Sequence, residues 1–142
     1  MPEKVAVFVD GVPSSYGHFS QAIKFGDASH DSGQLPIYGT TNKLVSPEVE
    51  PQARKVFEHL TSVMQSCGGA LTNVLSVTLY LVDLRDHAVV DKVSRDFFFF
   101  MPPARTVIAV AALPFGARLC IDAVAQLPSG ELPGSGPGMR RI

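Results

Sequence analysis

Residues 46–69, SPEVEPQARKVFEHLTSVMQSCGG, constrain this chain more than any other stretch. Val49, Ala53, Val56, Phe57, Leu60 and Met64 recur there at helical spacing, and Gly68-Gly69 supplies a stop. Such a helix persists only if its apolar stripe is buried against another element. Its start is open: Ser46-Pro47 reads as an N-cap with proline at the first helical position, whereas Pro51 favours a start one turn later.

The next segment, NVLSVTLYLVD, alternates. It predicts a strand with Leu75, Val77, Leu79 and Leu81 on one face and Ser76, Thr78 and Tyr80 on the other. That apolar face wants a helix over it. A second helix is predicted from an Asp86 cap, with Val90, Val93, Phe97 and Phe100 as its buried stripe and Met101-Pro102-Pro103 as its end. Phe98 and Phe99 fall off the stripe, which leaves packing within the chain or a subunit contact open.

Upstream, KVAVFVDGVP (4–13) reads as a first strand. QAIKFGD and ASHDSGQLPI read as a hairpin turning at Gly26-Asp27. Downstream, ARTVIAVAA and ARLCIDAVAQ are two more strands joined by LPFG. The order is three strands, helix, strand, helix, two strands, an α+β arrangement with both helices over one face of a mixed sheet. One domain spans 1–127, and 128–142, PSGELPGSGPGMRRI, has the Gly, Pro and Ser content of a disordered tail.

The charge balance is nearly neutral, 12 Lys+Arg against 13 Asp+Glu, so no global field would draw the chain to nucleic acid or an anionic membrane. No apolar run approaches a membrane span, and MPEKVAVFVDG has neither the basic start nor the long apolar run of an export signal. Cys67 and Cys120 are too few for a disulfide framework and read as free thiols, so a cytoplasmic location is expected. His18, His30, His59 and His87 show no metal-ligand spacing, and no cofactor motif is present. Charged residues make up only 18% and apolar ones 46%, a surplus that favours burial against other subunits.

Arg105, in PPARTVIAV, stands at the mouth of a strand. Period 2 groups it with Val107, Ala109 and Ala111, and groups Arg118, Cys120, Asp122 and Val124 on the other strand. If both rows face away from the helices, Arg105, Cys120 and Asp122 share one surface. Arg105 then either forms a salt bridge to Asp91 or Asp122 or offers its planar fork to a substrate carboxylate.

SQAIK, SGQLPI, PPAR and the run ARTVIAVAALPFGARLCIDAVA resemble the RidA family, also called YjgF or endoribonuclease L-PSP, over roughly Val5 to Gln126. The resemblance implies a chorismate-mutase-like fold, a homotrimer with a cleft at each subunit interface, and hydrolysis of 2-imino acids such as iminopropanoate and iminobutanoate to 2-keto acids. It places the carboxylate-binding arginine at Arg105 and keeps Ser32 and Gly33 of SGQ as substrate-binding residues.

Elsewhere the chain departs from the family pattern. Cys120 stands where the water-holding glutamate falls, Asp91 replaces an asparagine and Ser94 a tyrosine, and of the substrate-binding positions Phe19 replaces a tyrosine and Val107 a cysteine whose contact, through backbone atoms, could survive. A thiol cannot do a carboxylate's work as general base. Asp91, Asp122 or a Cys120 thiolate could stand in, so the resemblance implies a slow or substrate-shifted deaminase or, alternatively, a non-catalytic trimer that binds small carboxylates. It supplies no basic groove or acid–base pair for ribonuclease chemistry.

Overall fold

The computed structural model describes residues 3–14 and 16–128. Beyond Pro128 the expected tail lies outside the described residues. The elements run β1 (Lys4–Val7), β2 (Ala22–Phe25), β3 (Ala28–Gln34), α1 (Val49–Ser66), β4 (Val74–Leu81), α2 (His87–Phe97), β5 (Ala104–Ala109) and β6 (Leu119–Gln126). They form the expected α+β fold, in the order read from periodicity. α1 begins between its two candidate starts, with Pro51 in the first turn, where no N–H is needed. The first strand ends at Val7, short of the expected Pro13.

The six strands make one sheet in the order β1-β2-β3-β6-β4-β5. β4 and β5 are parallel, and the chain crosses between them through α2. All other neighbours are antiparallel. Both helices cover one face. The core joins Val56, Phe57, Leu60, Val63 and Met64 of α1 and Val90 and Val93 of α2 to Val77, Leu79 and Leu81 of β4 and Leu119, Ile121 and Ala123 of β6.

Two packing expectations are corrected. Leu75 is not on the core face: the β4–β6 register shifts between Val74 and Ser76, so Leu75 is the extra residue of a bulge and lies exposed while Val74 is buried. Phe100 is not in the stripe either. The helix ends at Phe97, and Phe98 turns inward to meet Phe57 edge-on at 6.0 Å, next to Phe97 stacked on Phe57 at 5.3 Å. Phe99 and Phe100 are left 86% and 70% exposed.

The start of α2 is held differently from expectation. Asp86 occupies the N-cap position without a side-chain capping bond. Its carboxylate instead accepts both arms of Arg118, at 3.0 and 2.8 Å, tying the crossover to the start of β6. Gln52 of α1 accepts the Arg118 backbone N–H at 2.9 Å and donates to the Ser46 carbonyl at 2.8 Å, so one buried amide clamps two chain segments.

Candidate functional site

The β-sheet register decides what Arg105 can meet. β5 pairs with β4, not with β6, and Arg105, Val107 and Ala109 lie beside Val77, Leu79 and Leu81. Side-by-side residues share a face, so the Arg105 row is on the helix side. Leu119, Ile121, Ala123 and Ala125 take the core side of β6, which turns Cys120, Asp122 and Val124 to the helix-free side. The expectation of one shared surface is therefore corrected: β4 lies between the two strands, and within one chain Arg105 and Cys120 face opposite ways.

On the helix side Arg105 stands at the mouth of a cavity of about 400 Å³ between α2 and the β5 edge. Its Nη1 donates to Asp91 Oδ1, 2.6 Å away, and its Nη2 meets His87 Nε2 at 3.1 Å, which makes that nitrogen the acceptor. Arg95 donates to the other Asp91 oxygen at 3.0 Å. The Arg105 hydrogen bond above all, and the charges of Arg105 and Arg95 as well, hold the Asp91 carboxyl below its ordinary range. Asp91 is thus an ionised group with both oxygens engaged, a poor base. Two guanidiniums and one carboxylate leave the mouth one positive charge in excess. A guanidinium has five N–H donors, of which Arg105 spends two here, and its side chain is 32% exposed. A ligand carboxylate can still reach the fork.

Behind the mouth the walls are apolar: Val77, Leu79, Val90, Phe98 and Ile121, with Ser94 at the rim. Pro102 and Pro103 close the side toward β5. Val107 packs against the core beside Leu79, so it supports β5 through its side chain.

On the helix-free side Cys120, Phe19, Ser32 and Gly33 do come together, in a shallow pocket of about 250 Å³ that also holds Tyr16, Leu35 and Pro114. Gly33 leaves room for the thiol: a Cβ there would sit 2.7 Å from Cys120 Sγ and force that side chain to turn aside. The Ser32 hydroxyl donates to the Ser20 carbonyl at 2.5 Å, which fixes the floor. Tyr16 lies against Phe19 and Phe115, with ring centroids 4.9 and 5.3 Å away. Burial, and then the Asp122 charge, push the Cys120 thiol up to about 12. It is a protonated thiol at neutral pH, which removes the basis for a thiolate nucleophile. Asp122 shares that face, and its Oδ2 accepts the Tyr80 hydroxyl at 2.8 Å.

Sequence reading missed His87, Arg95 and Tyr16. His87 and Arg95 lie one turn before and after Asp91 on α2, a spacing that could have assigned them to its face. Tyr16 lies in a segment without regular periodicity and carried no signal of its own. Among the described residues no three His, Cys, Asp or Glu side chains group as metal ligands, and no helix is long and apolar enough to cross a membrane.

The chain is thus an α+β domain with one helix-free sheet face, which carries the Cys120 pocket on one side of the sheet and the Arg105 mouth on the other. The chain belongs to the Endoribonuclease L-PSP family, the RidA/YjgF group, whose profile matches residues 11–127. It is similar to Reactive Intermediate Deaminase A, chloroplastic, of Arabidopsis thaliana, 33% identical over 88% of this chain and 67% of that one. It is also similar to a 2-iminobutanoate/2-iminopropanoate deaminase of Dermatophagoides farinae, 29% identical over 79% of this chain and 88% of that one. Among solved structures, RidA from the Antarctic bacterium Psychrobacter sp. superposes with a TM-score of 0.83 at 32% identity, covering 87% of this chain and 99% of that one.

Proposed function

We propose that this chain is a 2-imino acid deaminase that works as a homotrimer, each site combining the Arg105 mouth of one copy with the Phe19, Ser32, Gly33 and Cys120 pocket of another. The observation that carries the reading is the excess positive charge at the Arg105 mouth, with three of the Arg105 N–H groups uncommitted among the described residues. Two features favour assembly: the helix-free sheet face exposes Ile108, and the two half-sites point away from each other within one copy. The names of the relatives supply the reaction class.

In this reading the substrate is R–C(=NH)–COO⁻. Arg105 holds the carboxylate, and the water oxygen adds to the imine carbon. One proton passes from that water to nitrogen to give the carbinolamine; its hydroxyl proton then passes to nitrogen as the C–N bond breaks and C=O forms, and the products are the 2-oxo acid and ammonia. Asp91 orients the Arg105 fork, because its own oxygens are spent on Arg105 and Arg95. Asp122 is the carboxylate on the Cys120 face, one side-chain pair along the strand. With a protonated thiol at 120 instead of a base, the reaction runs about 10² to 10⁴ more slowly than a base-equipped site would allow.

One observation favours the second reading, a non-catalytic carboxylate-binding trimer: the Cys120 thiol cannot take a proton from water. A coupled assay separates the two, with a pyridoxal-phosphate dehydratase generating iminobutanoate and semicarbazide trapping what escapes hydrolysis. Wild type is expected to suppress trapping, Arg105→Ala to lose the effect, and Cys120→Glu to raise the rate at least 10-fold. An inert wild type awakened by Cys120→Glu selects the binding protein, and full activity in Arg105→Ala overturns both readings.

A further inference from the structure

The Arg105 cavity is far larger than a three- or four-carbon acid needs. Its volume of about 400 Å³ would hold roughly a dozen waters at about 30 Å³ each. Packed interiors leave few such spaces. Among the described residues the groups around it are divided: charge sits at the mouth, on Arg105, Asp91 and Arg95, while the buried side chains of Val77, Leu79, Val90, Phe98 and Ile121 make the floor. Water at the mouth finds the polar partners, whereas a group reaching past it meets only the apolar side chains of the floor.

We infer that the preferred ligand is a carboxylate bearing a large apolar side chain, an aromatic or branched 2-imino or 2-oxo acid, whose carboxylate meets Arg105 while its side chain fills the cavity. The inference rests on the proposed anchoring role of Arg105 and adds the substrate class. Three local features make the space. The helix stops at Phe97, so Phe98 folds down to form one wall instead of continuing along α2. Pro102 and Pro103 hold the chain extended on the opposite side. Ser94 puts a small side chain at the rim, one turn beyond Val90, where a larger one would close the opening.

The charge arrangement fits the same class. One excess positive charge balances a monocarboxylate, whereas a dicarboxylate would drive a second anion toward the apolar walls beside Asp91, where it would be neither paired nor hydrated. In a hydrophobic pocket one methylene is worth about 10- to 200-fold in kcat/KM, so a phenyl or isobutyl group in place of methyl should shift specificity by at least 10-fold.

The test measures hydrolysis of imines produced from phenylalanine, leucine, alanine and aspartate by amino-acid oxidases, with isothermal titration of phenylpyruvate, pyruvate and oxaloacetate alongside. It compares wild type with Ser94→Leu, chosen because position 94 is half-exposed and should accept leucine without unfolding, which a thermal melt checks. At least 10-fold preference for the phenylalanine and leucine imines over alanine, with that ratio collapsing in Ser94→Leu, is the expected result. Hydrolysis with no such preference overturns the inference and leaves the deaminase reading standing. No hydrolysis, but phenylpyruvate binding at least 10-fold tighter than pyruvate and weakened by Ser94→Leu, upholds the inference and removes the enzyme. Failure of all three acids to bind overturns both.

Discussion

At the residue scale the chain carries charges where its family pattern does not lead one to look. Arg105 was legible as a cation at a strand mouth, and Asp91 was one of its two foreseen partners. His87 and Arg95 were not foreseen, because α2 was read for its apolar stripe and not for the polar face on which they flank Asp91. Asp31 presents a different problem. It is 5% exposed on the core side of β3, and neither carboxylate oxygen has a hydrogen-bond partner among the described residues. Burial pushes its carboxyl up to about 7; the neighbouring Ser29 hydroxyl offsets this only in part and falls short of hydrogen-bond geometry. The folded chain therefore holds a proton there that the unfolded chain releases near 4, so stability is full at low pH and falls as pH rises toward 7. The loss amounts to roughly 4 kcal/mol at most. Denaturant melts between pH 4 and pH 8 should show that decline in wild type and a clearly flatter profile in Asp31→Asn. Parallel profiles would mean that Asp31 is solvated or paired after all.

At the element scale the eight segments and their order followed from periodicity, because periods of 2 and 3.6 leave distinct apolar spacings. Adjacency did not follow. β5 and β6 are consecutive and were read as neighbours, but β4 sits between them, since a parallel crossover through α2 is as compatible with the pattern as a hairpin. The face of Arg105 was a separate misreading: a period of 2 leaves open which row meets the helices, and the pairing with β4 puts the Arg105 row beside Val77 and Leu79. Leu75 shows a smaller version: a bulge is invisible to a strict period of 2. The crossover depends on the Asp86–Arg118 clasp, because Asp86 is buried and accepts two charged bonds while Arg118 keeps access to water. Asp86→Ala should cost about 2 kcal/mol, the loss of a charge-assisted pair moderated by resolvation of the arginine. Differential scanning calorimetry should show a fall in Tm on the order of 10 °C. An unchanged Tm would show that the Gln52 clamp alone holds the start of β6.

At the scale of the whole molecule the surplus of apolar residues was legible in the composition, and the structure gives it a place: the helix-free sheet face and the exposed β5 edge. The proposed division of the site between copies was legible only through the family resemblance, which implies a cleft at each subunit interface; periodicity does not say which pieces of a site come from one copy. The central claim is that Arg105 and the Cys120 pocket meet only between copies. It can be tested by co-refolding two variants that are each inactive alone, Arg105→Ala and Cys120→Phe, and measuring imine hydrolysis. In random trimers a site joining an intact arginine to an intact pocket arises in about one pairing in four. Recovery of roughly a quarter of wild-type activity is the expected result. If the mixture stays as inactive as its parts, the site lies within one copy, and the account fails.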